Sequence, residues 1–506
     1  MQFAFHPFLF SIAPILFLYA FNIDQVRFSD AILPLVVSLA VTTVLFFALS
    51  AILKNRREAG MLVSLGLVLF YSYGHLMNVL HEIDILDKTA VWLPVYAVLF
   101  AAGVYLIVRY RERLSTPTAA LNVVAAALVV MSLFNIIQHE FRSRPDIPRP
   151  RVGLKEGAEL PKPSELPDIY YIVVDSYGAE STLEDFYGYD NGDFLRFLED
   201  RGFYIPKDSR SNYFETFLSL SSSLNMEYLN FLEKDPGRES TDRSIPYEML
   251  QDNEASRFLK SKGYKFVFFG SGWSATFYNP KADLNFTENH LFGKEFWNTL
   301  IRTTVLRPFA TNWLFTREGV LTTFEQMPQV AGRFEDPCFV FAHIIPPHHP
   351  FRFDAEGNKP VALGGGVAAK KKAYIDQVRF VNGRLEEVVS RLLSGEGKKP
   401  VIIIQGDHGP IYAPNRRSDE ETPGDGKPLK TFLRQRSGIL NAYYLPTGDG
   451  ATAKLYEGIS PVNTFREVLN LYLMTDLARL PDRCYHSTYG QPYNFKDVTD
   501  EVKAVD

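Results

Sequence analysis

The stretch Val401-Ile402-Ile403-Ile404-Gln405-Gly406-Asp407-His408-Gly409 decides the fold. Its first four residues are apolar and β-branched with no alternation, the pattern of a strand covered on both faces. In open α/β sheets, ligands gather outside the carboxyl ends of such strands. Asp407 and His408 stand at that end, so the segment reads as a metal-site signature. A second segment does the same: Asp168-Ile169-Tyr170-Tyr171-Ile172-Val173-Val174 runs into Asp175-Ser176-Tyr177-Gly178. Together Asp175, Asp407 and His408 form a hard or borderline donor set, which suits zinc or manganese better than a soft-metal site. An aspartate near glycine is also an ordinary turn former. Two of them, each closing a buried apolar strand and one followed directly by histidine, favour the metal reading.

Working outward, the segments around these two strands alternate. Helical patterns cover about 190–201, 215–233, 254–262 and 370–394, and further strands are Lys265-Phe266-Val267-Phe268-Phe269 and Cys338-Phe339-Val340-Phe341-Ala342. Such alternation predicts a mostly parallel sheet covered by helices. Gly364-Gly365-Gly366 reads as a loop, and there is no internal repeat.

The first 140 or so residues are far more hydrophobic than the remainder of the 506. Five segments, about 3–23, 32–53, 61–80, 92–109 and 119–137, approach the roughly 20 apolar residues that span a bilayer. The linkers Lys54-Asn55-Arg56-Arg57 and Arg109-Tyr110-Arg111-Glu112-Arg113 are basic, whereas 81–87 is acidic. The positive-inside tendency puts the basic linkers in the cytoplasm and everything after the fifth span outside. The first segment carries neither a basic leader nor a small-residue cleavage site, which disfavours a removable signal peptide. The expected organisation is a membrane domain at 1–140, a Pro-rich stalk at 141–167, a catalytic domain at 168–495 and a tail at 496–506. Basic residues of the stalk, among them Arg142, Arg144, Arg149 and Arg151, stand where they can touch lipid head groups.

Other classes recede. A net charge of −5 with no basic stripe interleaved with aromatics gives no reason to expect nucleic acid. Two cysteines, Cys338 and Cys484, make no disulfide framework, so the core must carry the fold.

Ester chemistry at a metal needs a nucleophile, and Thr216 in Glu215-Thr216-Phe217-Leu218-Ser219-Leu220-Ser221-Ser222-Ser223 opens a helical pattern. There the dipole and free amides favour a developing anion, and a bound divalent cation brings the alkoxide within reach of neutral pH. The plain alternative is that Thr216 caps the helix and the serines line its polar face. A third strand end supplies His343-Ile344-Ile345-Pro346-Pro347-His348-His349-Pro350-Phe351, where an imidazole can hold a phosphoryl oxygen or protonate a leaving group. Arg352, Arg434 and Arg436 can bind an anionic head group or lie in solvent.

This constellation resembles the alkaline phosphatase and sulfatase superfamily, in particular its membrane-anchored branch of lipoteichoic acid synthases, phosphoglycerol transferases and phosphoethanolamine transferases. The resemblance covers the whole layout, about five spans followed by an external catalytic domain. It implies a five-span α-helical membrane domain followed by an α/β sulfatase-like domain with a mostly parallel central sheet. By that resemblance Asp175, Thr216, Asp407 and His408 hold one divalent metal ion, zinc or manganese. Thr216 is then the nucleophile and His348, in His-His-Pro-Phe, binds substrate; His343, His349 and Arg352 are further candidates for substrate contact by residue type and position alone, beside a structural or solvent-facing role. The implied reaction moves phosphoglycerol or phosphoethanolamine from a membrane lipid donor to an envelope glycan or lipid acceptor, on the periplasmic side of a bacterial inner membrane.

Departures from the branch narrow it. No Cys-x-Pro-Ser-Arg or Ser-x-Pro-Ser-Arg stretch is present, which lowers sulfate ester hydrolysis. The only histidine after His408 is His486, in a context unlike that of phosphoethanolamine transferases. Two rival readings stay open: a sulfatase-like phosphodiesterase using water as acceptor, and a non-catalytic envelope scaffold.

Overall fold

The structure, a computed structural model, describes residues 3–23, 26, 28–82, 89–141, 147–150, 152–157, 161–287, 294–309, 317–361, 366–395, 397–410, 429–447, 453 and 455–503. The acidic linker at 83–87, the stalk positions 142–146 and 151, and the glycines 364 and 365 lie outside the described residues. The chain divides into two compact units, Met1–Arg144 with Asn289–Leu314, and Pro145–Glu288 with Phe315–Asp506.

The first unit holds α1 (His6–Phe21), α2 (Phe28–Leu53), α3 (Arg56–Glu82), α4 (Leu93–Arg109) and α5 (Ser115–Glu140). Among the described residues three helices, α2, α3 and α5, are long and apolar enough to cross a membrane. At 16 and 17 residues, α1 and α4 fall short of a full hydrocarbon core, so the expected five spans reduce to three of that length. The unit also contains a segment that the sequence boundaries do not anticipate. The helix Lys294–Thr303 places Phe296 and Leu300 in one apolar cluster with Ile15, Leu18, Tyr19, Ala31 and Tyr71. Val305 N donates to Phe70 O at 3.0 Å, and Arg307 donates to Gly74 O at 2.8 Å and Asn78 Oδ1 at 2.6 Å. Those bonds fasten the segment to α3 along more than one turn.

The second unit is built on a sheet of β1 (Ile169–Val174), β2 (Lys265–Phe269), β3 (Leu284–Phe286), β4 (Cys338–Ile344), β5 (Val401–Gly406) and β6 (Asn441–Tyr444). Its order is β3-β2-β4-β1-β5-β6, and every pairing is parallel except that of β6 with β5. The continuous apolar runs have the cause the sequence implied. Tyr170, Ile172 and Val174 pack with Val378, Val381 and Leu385 of the helix Val367–Ser394. Ile169, Tyr171 and Val173 pack on the other face with Phe465, Val468 and Leu469 of the helix Pro461–Tyr472. Burial of each such side chain stabilises the fold by about 1.5–3 kcal/mol, so β1 and β5 are fixed from both sides.

Three boundaries differ from the sequence reading. The helix expected over 215–233 ends at Asn225, because Met226 turns into the left-handed region at φ 56°. His343 lies inside β4 and not beyond its end. The tail does not trail away. A short ribbon pairs β7 (Tyr485–His486) with β8 (Lys496–Asp497), and Val498 and Val502 are buried with Phe214 and Leu433.

Candidate metal centre and active site

β1 and β5 are in register, with Val174 opposite Gly406, so Asp175 and Asp407 leave the sheet side by side. Both flanking glycines of Gly-Asp-His-Gly are required by close approach. A Cβ on Gly406 would lie 2.4 Å from Tyr177 O, and one on Gly409 would lie 2.1 Å from Gln435 O. Ser176 adopts φ 61°, an uncommon conformation for a residue with a side chain, and uses it to face the neighbouring strand. Its amide donates to Asp407 Oδ1 at 2.9 Å and its hydroxyl to Asp175 Oδ1 at 3.1 Å. The ligand atoms of Asp175, Asp407 and His408 all lie within 4.8 Å of one another, and all three residues are buried.

Thr216 is the first residue of the helix Thr216–Asn225, and its flanking residue Glu215 makes no side-chain cap. Thr216 Oγ1 is 3.2 Å from His408 Nε2. The plain capping alternative therefore fails for this hydroxyl, which points into the cluster. The serines do not line an exposed face either. Ser219, one turn on, donates to Asp407 O at 2.6 Å, Ser221 to Pro246 O at 2.7 Å and Ser223 to Ser219 O at 2.8 Å, all buried. Ser211 also donates to Asp407 O. The spacing Thr-x-x-Ser thus serves one purpose: Ser219 locks the helix onto the Asp407 backbone, and that places Thr216.

Electrostatics say what the cluster needs. Asp407 Oδ2 is buried and has no hydrogen-bond partner, although His408 Nε2 stands 3.3 Å away. Burial pushes the Asp175 carboxyl up to about 7, against the opposing pull of Arg436 and the Ser176 hydroxyl. Burial, with the charge of Asp175 beside it, pushes Asp407 up as well. Two buried carboxylates side by side are unfavourable unless a cation joins them. Two carboxylates, an imidazole and a hydroxyl fit one zinc or manganese ion.

His408 Nδ1 has Ser176 Oγ at 3.2 Å, Gly409 O at 3.2 Å and Arg436 Nη1 at 2.7 Å. When Nδ1 carries its hydrogen and gives it to Gly409 O, Nε2 keeps a lone pair for a cation. When Arg436 donates to Nδ1, Nε2 carries the hydrogen and gives it to Thr216 Oγ1. Arg436 is buried and also donates to Gly409 O at 2.8 Å and to Phe214 O. It is a structural clamp on both the Asp-His loop and the segment leading into Thr216.

The remaining expected residues divide. His348 is half-buried, with its ring 6.5 Å from that of His408, and Gln377 fixes its loop by donating to Pro347 O and His348 O. His349 is exposed, its ring 4.2 Å from that of His348. His343 is fully buried, with Nδ1 2.8 Å from Thr276 Oγ1. Its Nε2 has no hydrogen-bond partner and lies 3.7 Å from Asp175 Oδ2. Burial lowers its pKa to about 3, so it faces the carboxylate as a neutral ring. The Arg352 amide donates to Gln377 Oε1 at 2.6 Å, which ties its backbone to the glutamine that holds the His348 loop. Arg434 pairs with Asp185 at 3.7 Å, and Cys338 and Cys484 are free thiols.

Sequence reasoning underrated Arg436 and passed over Ser176, Ser211 and Ser219. A helix as polar as Leu429–Ser437 gives no sign that one of its arginines is buried. For Ser219 the signal was present in its spacing from Thr216.

A metal-dependent stability follows. Below about pH 4 the Asp175 proton is held in both folded and unfolded chains. As pH rises the unfolded chain ionises first, so the metal-free fold loses stability up to and through the folded value of about 7. The rise in melting temperature on adding zinc or manganese is therefore expected to be larger at pH 7.5 than at pH 5. Thermal melts at both values check this, and a shift independent of pH contradicts it.

The profile of the sulfatase family matches residues 167–451, more than half of the chain. The chain belongs to the sulfatase family. No curated protein sequence is significantly similar to it. Three solved structures illustrate its likenesses. One is the C-terminal periplasmic domain of EptC from Escherichia coli in complex with zinc, at 11% identity and TM-score 0.44, with 70% of this chain and 96% of that one covered. Another is the lipoteichoic acid synthase LtaP from Listeria monocytogenes, at 15% and 0.42, with 68% and 80% covered. A third is the soluble domain of lipooligosaccharide phosphoethanolamine transferase A from Neisseria meningitidis, at 15% and 0.39, with 63% and 92% covered.

Proposed function

We propose that the chain transfers a phosphoryl-linked head group, phosphoglycerol or phosphoethanolamine, from a membrane lipid to an envelope glycan or lipid through a covalent intermediate on Thr216. The observation that carries this reading is the Thr216 hydroxyl, held at a helix start 3.2 Å from His408 Nε2 in a cluster where Asp407 Oδ2 has no hydrogen-bond partner. Asp175, Asp407, His408 and Thr216 would hold one zinc or manganese ion, which when bound lowers the pKa of the hydroxyl and screens charge on the phosphoryl oxygens.

Thr216 Oγ attacks the phosphorus of the lipid phosphodiester, and the bond from phosphorus to the diacylglycerol oxygen breaks. The hydroxyl proton passes to Asp407, whose unpartnered Oδ2 lies in the same cluster. His348 protonates the departing diacylglycerol oxygen. An acceptor hydroxyl then attacks the same phosphorus and gives its proton to His348, while Thr216 leaves and regains its own from Asp407. The helix dipole and the amides of the first turn favour the anionic group at Thr216 throughout. The basic linkers of the first unit support placing the second unit outside the cytoplasmic membrane, where lipid donor and envelope acceptor meet.

The test incubates the full-length protein in detergent with manganese or zinc and with phosphatidylglycerol or phosphatidylethanolamine. Expected are released diacylglycerol and a Thr216 peptide heavier by phosphoglycerol or phosphoethanolamine. Diacylglycerol released with no adduct, even on rapid quenching, points instead to direct hydrolysis by water. No release from either lipid overturns the donor assignment.

A further inference from the structure

The first unit carries a groove of its own. At the start of α1, His6 Nδ1 lies 2.6 Å from Ser64 Oγ of α3, and His6 N donates to Asn122 Oδ1 of α5 at 2.9 Å. Toward their other ends Leu18, Tyr71 and Ile136 meet in one apolar cluster. The three helices therefore run parallel, and they flank a cavity of about 350 Å³. Val68, Leu128 and Met131 of its lining are exposed, so the groove opens on the surface that a bilayer would cover.

Its chemistry changes along its length. Phe10, Ala13, Leu67 and Leu128 line the part nearer the helix starts. Ser72, His75 and Asn135 line the part nearer the helix ends, where Thr303 joins them. Polar side chains on membrane helices are costly without partners. His75 and Asn135 are exposed, and their side chains make no hydrogen bond among the described residues.

The excursion at 294–309 brings positive charge to that same end. Gly74, next to His75, leaves no room for a Cβ against Arg302 O, and Arg307 donates to Gly74 O at 2.8 Å. Arg302 and Arg307 stand close enough for the charge of one to act on the other. Neither makes an ion pair among the described residues. Two cations held together at the polar end of an apolar groove favour an anion beside them, as basic pockets between membrane helices favour anionic head groups. The volume is at the small end of ligand cavities, roughly 300–1,000 Å³, which suits one acyl chain and leaves a second in the bilayer.

We propose that this groove binds an anionic diacyl phospholipid, with one acyl chain between α1, α3 and α5 and its phosphate beside Arg302 and Arg307. His75 and Asn135 donate to its ester and phosphate oxygens. The lipid sits in the leaflet reached by the carboxyl-terminal ends of α3 and α5. It is bound and not consumed, so the site stands whether or not the transfer reading does.

Photo-crosslinking tests it, with the full-length protein in phosphatidylcholine nanodiscs and a trace of phosphatidylglycerol or phosphatidylcholine carrying a diazirine on one acyl chain. Peptide mapping is expected to place phosphatidylglycerol label on α1, α3 and α5 around the groove, at several times the level given by phosphatidylcholine. Arg302 is exposed and its side chain makes no hydrogen bond among the described residues, so Arg302→Gln removes little but charge. It is expected to lower the preference about fivefold, the effect of one cation near an anionic head group. Leu128→Trp, at an exposed position, fills the groove and is expected to abolish its label while α2 and α4 keep theirs; melting curves confirm that both variants fold. Equal labelling by the two lipids, label spread evenly over all five helices, or a preference that Arg302→Gln leaves unchanged overturns the site. A diazirine diacylglycerol that labels the groove as strongly as phosphatidylglycerol also overturns it, because the phosphate then plays no part. Thr216→Ala is expected to label like the wild type. Loss of label in that variant places the lipid in the reaction centre and refutes the separate groove.

Discussion

Thr216→Ala is expected to form no adduct with any lipid donor and to lose about a thousandfold or more in turnover, the scale typical of deleting a nucleophile. The fold should survive. Thr216 is the first helical residue, its side chain bonds to His408, and alanine is the best helix former. Serine at the same position keeps the oxygen on a slimmer, freer side chain, so Thr216→Ser should still form the adduct, within about tenfold of the wild-type rate. Intact-mass analysis beside diacylglycerol release reads both effects, and melting curves control for misfolding. Full turnover by the alanine variant sinks the covalent step. A turnover loss equal for alanine and serine assigns the threonine a packing role through its methyl group.

What could be read in advance follows from where information is local. The run Val401-Ile402-Ile403-Ile404 and its counterpart at 169–174 declare buried parallel strands because both faces are apolar, and parallel register then brings Asp175 beside Asp407. Glycines on either side of Asp407-His408 mark the close approach of Tyr177 O and Gln435 O. The edge strand β6 was not legible, since four residues, Asn441-Ala442-Tyr443-Tyr444, give too short a pattern. Arg436 became part of the site only through tertiary packing: it reaches His408 from 28 residues along the chain. The excursion 289–314 carries an amphipathic helix like many others, and nothing in its composition states that Phe296 and Leu300 pack with α1 and α2. Local pattern thus gave the elements and the three residues of the cluster, while the clamps around them depend on distant partners.

Those clamps also shape the second large effect, that of Asp407→Asn. Asp407 Oδ1 accepts from Ser176 N and from His408 N, each at 2.9 Å, and an amide oxygen can keep both bonds. What the substitution removes is the charge on Oδ2, the buried oxygen that has no hydrogen-bond partner in the protein. Without that charge the donor set falls to one carboxylate, one imidazole and one hydroxyl, and affinity for zinc or manganese is expected to drop by about a hundredfold or more. The metal-free variant, by contrast, should melt higher than the metal-free wild type at pH 7.5. Two buried carboxylates repel there, and burial alone already pushes both toward the protonated form. A site arranged for function and not for stability behaves in this way, gaining stability as it loses its ligand. Calorimetric titration with each metal and paired melts with and without it measure the two halves. An unchanged metal affinity removes Asp407 from the ligand set. A metal-free variant that melts lower than the wild type means that the Asp407 carboxylate stabilises the fold through hydrogen bonds an amide does not reproduce, and the centre is then structural before it is catalytic.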